Sequence, residues 1–360
     1  MSYDDAVLPP LYAKWMASLL AAPIPPERKA SCEACAMCPP AAPDAPRMED
    51  FYSPVTKCCT YQPELANFLV GRILADEAPD ALEGRASIEQ RIERRVEVTP
   101  LGLGRSRVYW LLYLNGVEAF GQATSMECPH HLADGRCGVW RHRESTCATW
   151  FCKHERGQIG KHFWRRLHAL LAAVEGVLSR HCVLEIGLSA GAFELLFPPE
   201  TGGRDPGLGK EQLDGQVDAA RYRALWGNWF GREREFYRRS AELVEALSFA
   251  DILALGGPEL ELRARLARAA HEALVTRDVP PRVRPRRLQV LQMSADSVRV
   301  STYSNIDPLS LPTKLFHALH CFDGRPTAEA LRDIEVSHEL RVAPGVVRKL
   351  VDFGLLEEDG

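Results

Sequence analysis

The sequence predicts a mainly helical α+β protein with three parts: a cysteine-rich metal-binding domain with a β-hairpin, a helical middle region and a small C-terminal winged-helix-like domain. Nine of the 11 cysteines lie within the first 152 residues. Apolar residues recur at helical spacing through the middle, and two short alternating strands precede helical segments at the end. We place the domains at residues 1–157, 158–279 and 283–360.

The composition is that of an ordinary globular chain. With 360 residues, of which 46% are hydrophobic and 26% charged, the chain can bury a sizeable core. A net charge of -4 and a pI near 6.3 do not support nucleic acid or an anionic membrane as a partner of the whole surface. The first twenty residues hold two aspartates and only a short apolar run, so we expect no signal peptide, no membrane association and a cytoplasmic protein.

The clustered cysteines are the predicted metal ligands. In a reducing cytosol, clustered thiols bind metals or carry out redox chemistry more often than they form disulfides, which are the alternative. Cys182 and Cys321 stand apart from the others and are not assigned to this site. The assigned ligands are Cys32, Cys35, Cys38, Cys58, Cys59, Cys128, Cys137, Cys147 and Cys152.

The first cysteines lie in a Pro-rich and Ala-rich loop, residues 21–50, which is too broken for a helix or a central strand. Cys32, Cys35 and Cys38 form two CxxC steps, and a bound metal would give this segment the order that it cannot draw from a hydrophobic core. The next cysteines, Cys58 and Cys59, are adjacent. Since neighbouring side chains point apart in an extended segment, we expect this pair to bridge two metals or to serve two sites.

Residues 64–100 predict two helices, separated by Pro79 and Gly84. Residues 108–114 and 117–120 are rich in β-branched and aromatic side chains, and Asn115-Gly116 between them favours a tight turn. We therefore predict a β-hairpin that leads to Cys128. A second turn at Asp134-Gly135 follows within the segment that carries the last four clustered cysteines.

The middle region predicts two long helices, at residues 158–180 and 221–247. Trp226, Trp229 and Phe230 could form an aromatic platform for a ligand, but aromatic residues at helical spacing are more often core, and we assign them no function. The first helix carries an apolar stripe of Phe163, Leu167, Leu170, Leu171, Val174 and Leu178.

The C-terminal region predicts strands at 288–293 and 297–303, a helix at 311–321, a second helix after 323, and a last one that begins near Pro344 and ends at Gly354. A strand hairpin with three helices is the outline of a winged helix. The segments 322–327 and 354–356 also resemble the small peptide-binding domains of the PqqD type. That resemblance implies a peptide or protein partner for this domain.

The segment from Cys128 to Cys147 resembles the bacterial cysteine-cluster proteins of the YkgJ type, which are described as zinc- or iron-chelating. The chain departs from that pattern in two places. A Pro-rich insertion separates Cys38 from Cys58, and Glu144 stands where the family has Pro. The resemblance implies that the cysteines bind iron or zinc, and it rests on Cys128, Leu132, Asp134, Gly135, Arg136, Cys137, Val139, Trp140, Arg143 and Cys147.

Polar residues among the cysteines have two interpretations each. The histidines, as neutral imidazoles, would be ligands or would lie outside the ligand shell. The arginines would offset the charge of clustered thiolates or form a solvated face. These residues are His130, His131, His142 and His154, and Arg136, Arg141 and Arg143.

Two functions are consistent with the sequence. In the first, the cysteines hold an iron-sulfur cluster or another iron centre for redox or protein- or peptide-modifying chemistry, as the number of thiols and the CxxCxxC run favour. In the second, the metal is zinc, and the protein is a non-catalytic module whose C-terminal domain recognises a protein, peptide or nucleic acid. No nucleophile or dinucleotide motif is present, so the sequence does not decide whether the protein is an enzyme.

Overall fold

The computed structural model describes residues 8–29, 32, 35–38, 52–197 and 215–359. These residues form two compact units, each assembled from separate stretches of chain. Unit 1 takes the residues up to Leu19, then Met37–Thr149 and His168–Arg263, and unit 2 takes Leu20–Ala36, Trp150–Leu167 and the residues from Ala264 onward. Domain boundaries at 157, 279 and 283 stay a prediction.

The fold is α+β and mainly helical, with small antiparallel sheets, as predicted. Unit 1 holds α1 (Pro10–Leu19), α2 (Asn67–Ala75), α3 (Leu82–Arg94), α4 (Arg107–Asn115), α5 (Ser145–Thr149), α7 (Ala190–Leu196), α8 (Ala219–Trp226) and α9 (Glu233–Glu245). Unit 2 holds α11 (Thr313–Ala318), α12 (Thr327–Ser337) and α13 (Pro344–Asp352). Residues of α6 (Gly157–Ile186) and of α10 (Phe249–Val275, interrupted at Gly257) are divided between the two units.

The two helices predicted in residues 64–100 are confirmed as α2 and α3. Pro79 begins a short 3-10 turn before α3, whereas Gly84 lies inside the helix instead of separating it from α2. A small antiparallel sheet accompanies these two helices: β1 (Leu65–Ala66) precedes α2, and β2 (Val98–Thr99) and β3 (Gly102–Leu103) follow α3. The strand order in this sheet is β1-β3-β2. Their apolar side chains join the core of unit 1.

The β-hairpin predicted at residues 108–120 is wrong, because this segment forms α4 and a 3-10 turn, Val117–Ala119. Ser106 caps α4 by accepting the backbone N–H of Tyr109 at 3.1 Å. Tyr113 stacks on Tyr109 and Trp110, its neighbours at helical spacing. The cap and these ring pairs outweigh the β propensity of the apolar run.

The predicted long helix at 221–247 is also wrong, because it is divided into α8 and α9 by a 3-10 turn, Gly227–Trp229. Gly227 and Gly231 both have positive φ, which ends one helix and positions the next. Trp226 and Trp229 are buried, which confirms their interpretation as core. The apolar stripe predicted along α6 is confirmed, since all six side chains are fully buried.

Unit 2 contains the predicted strand pair, β5 (Val290–Met293) and β6 (Ser297–Val300). A third strand, β7 (Leu309–Pro312), pairs antiparallel with β6, so the helix predicted to start at 311 begins instead at Thr313. The strands β4 (Val283–Pro285) and β8 (Leu356–Glu358) form a separate antiparallel pair that the sequence did not predict. Pro344 at the start of α13 and Gly354 after its end are confirmed.

Among the described residues, no helix has both the length and the apolar character that crossing a lipid bilayer requires.

Candidate metal centre

The predicted ligands are divided between the two units. Cys38, Cys58, Cys59, Cys128, Cys137 and Cys147 belong to unit 1, whereas Cys32, Cys35 and Cys152 belong to unit 2. All eleven cysteines lie in the described part of the chain, and none forms a disulfide there. The interactions below concern the unit 1 group, for which the structure gives the most detail.

A tight loop presents Cys128 and Cys137. The backbone N–H of Cys128 donates to the carbonyl of Cys59 at 2.7 Å, which connects this loop to the adjacent cysteine pair. His131 and Cys137 face each other in an antiparallel bridge. The predicted turn at Asp134-Gly135 closes the loop, since Gly135 has a φ of 82°.

The sulfur of Cys128 accepts backbone N–H groups from His130 and His131. Such N–H···S bonds lie at many metal-thiolate sites, because they stabilise negative charge on sulfur. Burial nevertheless raises the pKa of Cys128 to about 12, with a further contribution from Cys137. The thiol therefore stays protonated at neutral pH unless a cation takes the place of its proton.

Two glycines fix the position of this loop against α3. A Cβ on Gly84 would lie 1.7 Å from the carbonyl oxygen of Gly138, and a Cβ on Gly138 would lie 2.9 Å from the Cα of Gly84. The two backbones are thus in direct contact next to Cys137, where no larger residue fits.

Cys147 lies in α5, whose first turn is held by the side chain of Glu144. The Glu144 carboxylate accepts the backbone N–H of Thr146 at 2.5 Å and that of Cys147 at 2.9 Å. Burial, the charge of Glu144, and then Cys128 and Cys137 raise the pKa of Cys147. Cys128, Cys137 and Cys147 therefore lie close enough for their charges to interact through the interior of unit 1. Glu144 holds this segment through its side chain where the family pattern has Pro.

Cys58 and Cys59 lie in a turn, and the premise of an extended segment is wrong. Lys57, just before them, has a φ of 49°. A hydrogen bond between the two thiols, followed by burial, raises the pKa of Cys58. The side chains therefore lie together, and the pair can face one metal site.

Two of the four histidines have a full set of partners. The Nδ1 of His130 lies 2.8 Å from the hydroxyl of Ser87, and burial with the charge of Arg91 lowers its pKa to about 3. The Nε2 of His142 lies 2.9 Å from Asp76. These contacts make both rings structural side chains beside the cysteines.

His131 differs from them. Its Nδ1 lies 2.6 Å from the Glu127 carboxylate, while its buried Nε2 has no hydrogen-bond partner among the described residues. A carboxylate on one nitrogen and an unused lone pair on the other is the usual arrangement of a metal-binding histidine. His131 is therefore the histidine of unit 1 best suited to be a ligand.

The three arginines near the cysteines were expected either to offset thiolate charge or to form a solvated face. Arg136 pairs with Asp134 and Arg141 with Asp80 at the surface, as expected for a solvated face. Arg143 is buried, and its guanidinium lies 3.7 Å from the centre of the Trp140 ring. The positive charge that interacts with the Cys128 thiol belongs instead to Arg91.

Arg91 is a residue of the candidate site that sequence reasoning missed, because it interacts electrostatically with Cys128. Its guanidinium lies 3.4 Å from the Nε2 of His130 and donates to the carbonyl of Gly104. Its side chain is half-buried, and loss of hydration lowers the pKa of the guanidinium. No motif marks Arg91, because it is one of several arginines along α3.

In unit 2, Cys32 is exposed, and Cys35 and Cys152 are half-buried. His154 is buried, and its backbone N–H donates to the Tyr303 hydroxyl at 3.0 Å. Its Nδ1 has no hydrogen-bond partner in the described part of the chain. His154 thus keeps a free ring nitrogen two residues after Cys152.

The thiols of unit 1 are near one another without surrounding a single point. Within the described residues, no three of the nine sulfur atoms lie within 4.8 Å of one another. Two thiolates on one tetrahedral ion, bound at about 2.3 Å, lie about 3.8 Å apart. Among the described residues, the sulfur atoms of unit 1 therefore do not form a group of three arranged for a single ion.

Comparisons with known proteins give no relative. No family model, no curated protein and no solved structure matches the chain.

Proposed function

We propose that this is a metal-binding cysteine-cluster protein in which unit 1 holds an iron-sulfur cluster or another iron centre for redox or protein-modifying chemistry. The observation that carries the proposal is the electrostatic interaction of three thiols, since Cys137 raises the pKa of Cys128, and both raise the pKa of Cys147. An iron-sulfur cluster is held by several cysteines that lie near one another, as these three do.

The donor set fits an iron-sulfur cluster in its chemistry as well. Thiolates are the usual ligands of these clusters, and the cluster would supply one-electron transfer when bound. The residues of unit 1 have distinct roles around it. Cys128 receives two backbone N–H groups that stabilise its thiolate, and Arg91 supplies a half-buried positive charge. The backbone of Cys59 is hydrogen-bonded to that of Cys128, and Cys38, Cys58 and Cys59 are the other candidate thiols of unit 1.

A zinc site is the second candidate, and His131 is the observation that favours it. With Nδ1 on Glu127 and Nε2 unused, His131 could complete a site of three cysteines and one histidine. The protein would then be a non-catalytic module in which zinc orders the cysteine-bearing loops. Its partner would be a protein, peptide or nucleic acid bound by the C-terminal region.

The C-terminal region supports a partner-binding role whether unit 1 holds iron or zinc. Its three-stranded sheet and helices α11 to α13 are consistent with a winged-helix or PqqD-like module that recruits a peptide or protein. Under this proposal the protein acts in the cytoplasm, where thiols are kept reduced.

Metal analysis of the full chain purified without air tests the proposal. We expect iron with acid-labile sulfide and a broad visible absorption band. Cys137→Ser should lower the iron content, because a serine hydroxyl is a poor ligand for iron in a cluster. Cys182→Ser is the matched control, since Cys182 is a fully buried cysteine of unit 1 outside the cluster, and its thiol donates to the Ser240 carbonyl at 3.6 Å.

The outcomes separate the two candidates. A colourless protein that contains zinc, with zinc lost in both Cys137→Ser and His131→Ala, would replace the iron proposal by the zinc one. Equal metal content in Cys137→Ser, Cys182→Ser and the parent would contradict both.

A further inference from the structure

A second group of metal-binding side chains lies in the C-terminal part of unit 2, away in sequence from the nine clustered cysteines. The ligand atoms of His320, Cys321 and His338 all lie within 4.8 Å of one another. The Sγ of Cys321 is 3.7 Å from the Nε2 of His320 and 3.7 Å from the Nε2 of His338.

The fold brings these residues together from two elements. His320 and Cys321 lie in a 3-10 turn, Leu319–Cys321, that follows α11, and His338 is the residue that ends α12. Cys321 is buried in the core of unit 2, His338 is half-buried and His320 is exposed. The three atoms thus form one face that opens to solvent on the side of His320.

The distances match one tetrahedral ion. With a metal–sulfur bond of about 2.3 Å and a metal–nitrogen bond of about 2.1 Å, tetrahedral angles place sulfur and nitrogen about 3.6 Å apart. Both observed sulfur–nitrogen distances are 3.7 Å.

The ring of His320 is held in the orientation that a ligand needs. Its Nδ1 lies 2.5 Å from the backbone carbonyl of His317, to which it can only donate a proton. In the neutral ring this leaves the Nε2, which faces Cys321, as the nitrogen with a lone pair. A backbone carbonyl on the other ring nitrogen is a common support for a metal-binding histidine.

The nearby acidic residues are already paired. Arg325 donates to Asp323 at 2.7 and 2.8 Å and to Asp333 at 3.3 Å. These carboxylates are therefore held by a cation of the protein, which leaves the fourth coordination position to solvent or to an incoming ligand.

We propose that His320, Cys321 and His338 form a zinc site with one open position, separate from the cysteine centre of unit 1. One thiolate and two imidazoles suit Zn²⁺, and three protein ligands with one solvent position are typical of zinc sites that exchange a ligand. The ion would connect the turn after α11 to the end of α12.

The test uses the full chain without an affinity tag and measures zinc by titration against a chelator. His338→Ala should remove one equivalent of zinc, or weaken that equivalent at least about 100-fold, because a ligand is lost. His317→Ala is the matched control, since its exposed ring takes no part in the group and its backbone carbonyl is kept. Cys321→Ser is the second variant, and Cys137→Ser should keep this equivalent.

A site-specific measurement makes the result independent of unit 1. Diethyl pyrocarbonate modifies accessible imidazoles, and mass spectrometry locates each modified histidine. Zinc should protect His320 and leave His317 reactive, and the protection should be lost in His338→Ala. Equal modification of His320 with and without zinc, or an unchanged zinc stoichiometry in His338→Ala, would overturn the proposal, whatever metal unit 1 holds.

Discussion

Replacing Gly84 by Ala tests whether the contact between α3 and the Cys137 loop positions the metal centre. The new Cβ would lie 1.7 Å from the carbonyl oxygen and 2.4 Å from the carbonyl carbon of Gly138. Both are backbone atoms, so neither can rotate away as the end of a flexible side chain would. Reaching a contact of 3.0 Å requires helix and loop to separate by roughly 1.3 Å, in a close-packed interior.

The magnitude follows from two opposing effects. Overpacking costs about 1–3 kcal/mol, and a clash between two backbones belongs at the upper end. Alanine gains about 1 kcal/mol over glycine within a helix. We therefore expect Gly84→Ala to lower the free energy of unfolding of unit 1 by about 2 kcal/mol, roughly a thirty-fold change in the unfolding equilibrium. Displacement of the Cys137 loop should also lower the metal content.

Gly176→Ala is the control of opposite sign. Gly176 lies inside α6, and its Cβ would meet only the end of the Arg180 side chain, at 3.8 Å. The same substitution should therefore stabilise the protein by up to about 1 kcal/mol. Urea unfolding followed by circular dichroism, with metal analysis of each variant, measures both effects. If Gly84→Ala were as stable as Gly176→Ala and kept its full metal content, the role given to this contact would be refuted.

Three further substitutions test other parts of the structure. Burial raises the pKa of Glu175 to about 8 from an ordinary value of 4.5, so its contribution to stability is complete below pH 4.5 and is lost as the pH rises through 8. Urea unfolding of Glu175→Gln should therefore show a smaller loss of stability between pH 6 and pH 9 than the parent, and parallel curves would contradict this. Asp352→Ala leaves the buried guanidinium of Arg156 without its carboxylate and should lower the free energy of unfolding of unit 2 by about 3–5 kcal/mol. Hydrogen exchange of the core amides of unit 2 measures this loss, and a change below about 1 kcal/mol would be inconsistent with a buried ion pair. His131→Ala should reduce zinc affinity at least about ten-fold if the unit 1 metal is zinc, and should leave iron content unchanged if it is a cluster held by cysteines.

The sequence predicted the helical elements that carry their own local signals. The stripe from Phe163 to Leu178 has an unambiguous period, and its burial follows directly. Pro344 and Gly354 likewise mark the two ends of α13. The strand predicted at residues 108–114 is a helix, because its aromatic residues suit a strand and a helix equally and the cap at Ser106 favours the helix.

The sequence supplies the candidate ligands of the proposed centre, which stay a prediction, but not the packing around them. The turn at Gly135 and the order of the cysteines can be seen in the sequence, whereas the backbone contact of Gly84 with Gly138 joins residues far apart in the chain. The same holds for Arg91, which becomes relevant only because α3 packs next to Cys128. Pairs of this kind depend on tertiary packing, and no local pattern encodes them.

The sequence did not predict the group of His320, Cys321 and His338, for a related reason. Cys321 is a single cysteine, and His338 follows it only after a whole helix, so no CxxC or HxxxH spacing marks them. Only the return of α12 toward the turn after α11 makes them neighbours.

The pairing of β4 with β8 has a consequence for how the protein is made. Val283 lies opposite Glu358, so the strand that closes this sheet is synthesised only after α11, α12 and α13. At about 5–20 residues per second, the ribosome exposes β4 several seconds before its partner exists. During that interval the edge of β4 has no partner strand from this chain, and the sheet can close only after the three intervening helices have been made.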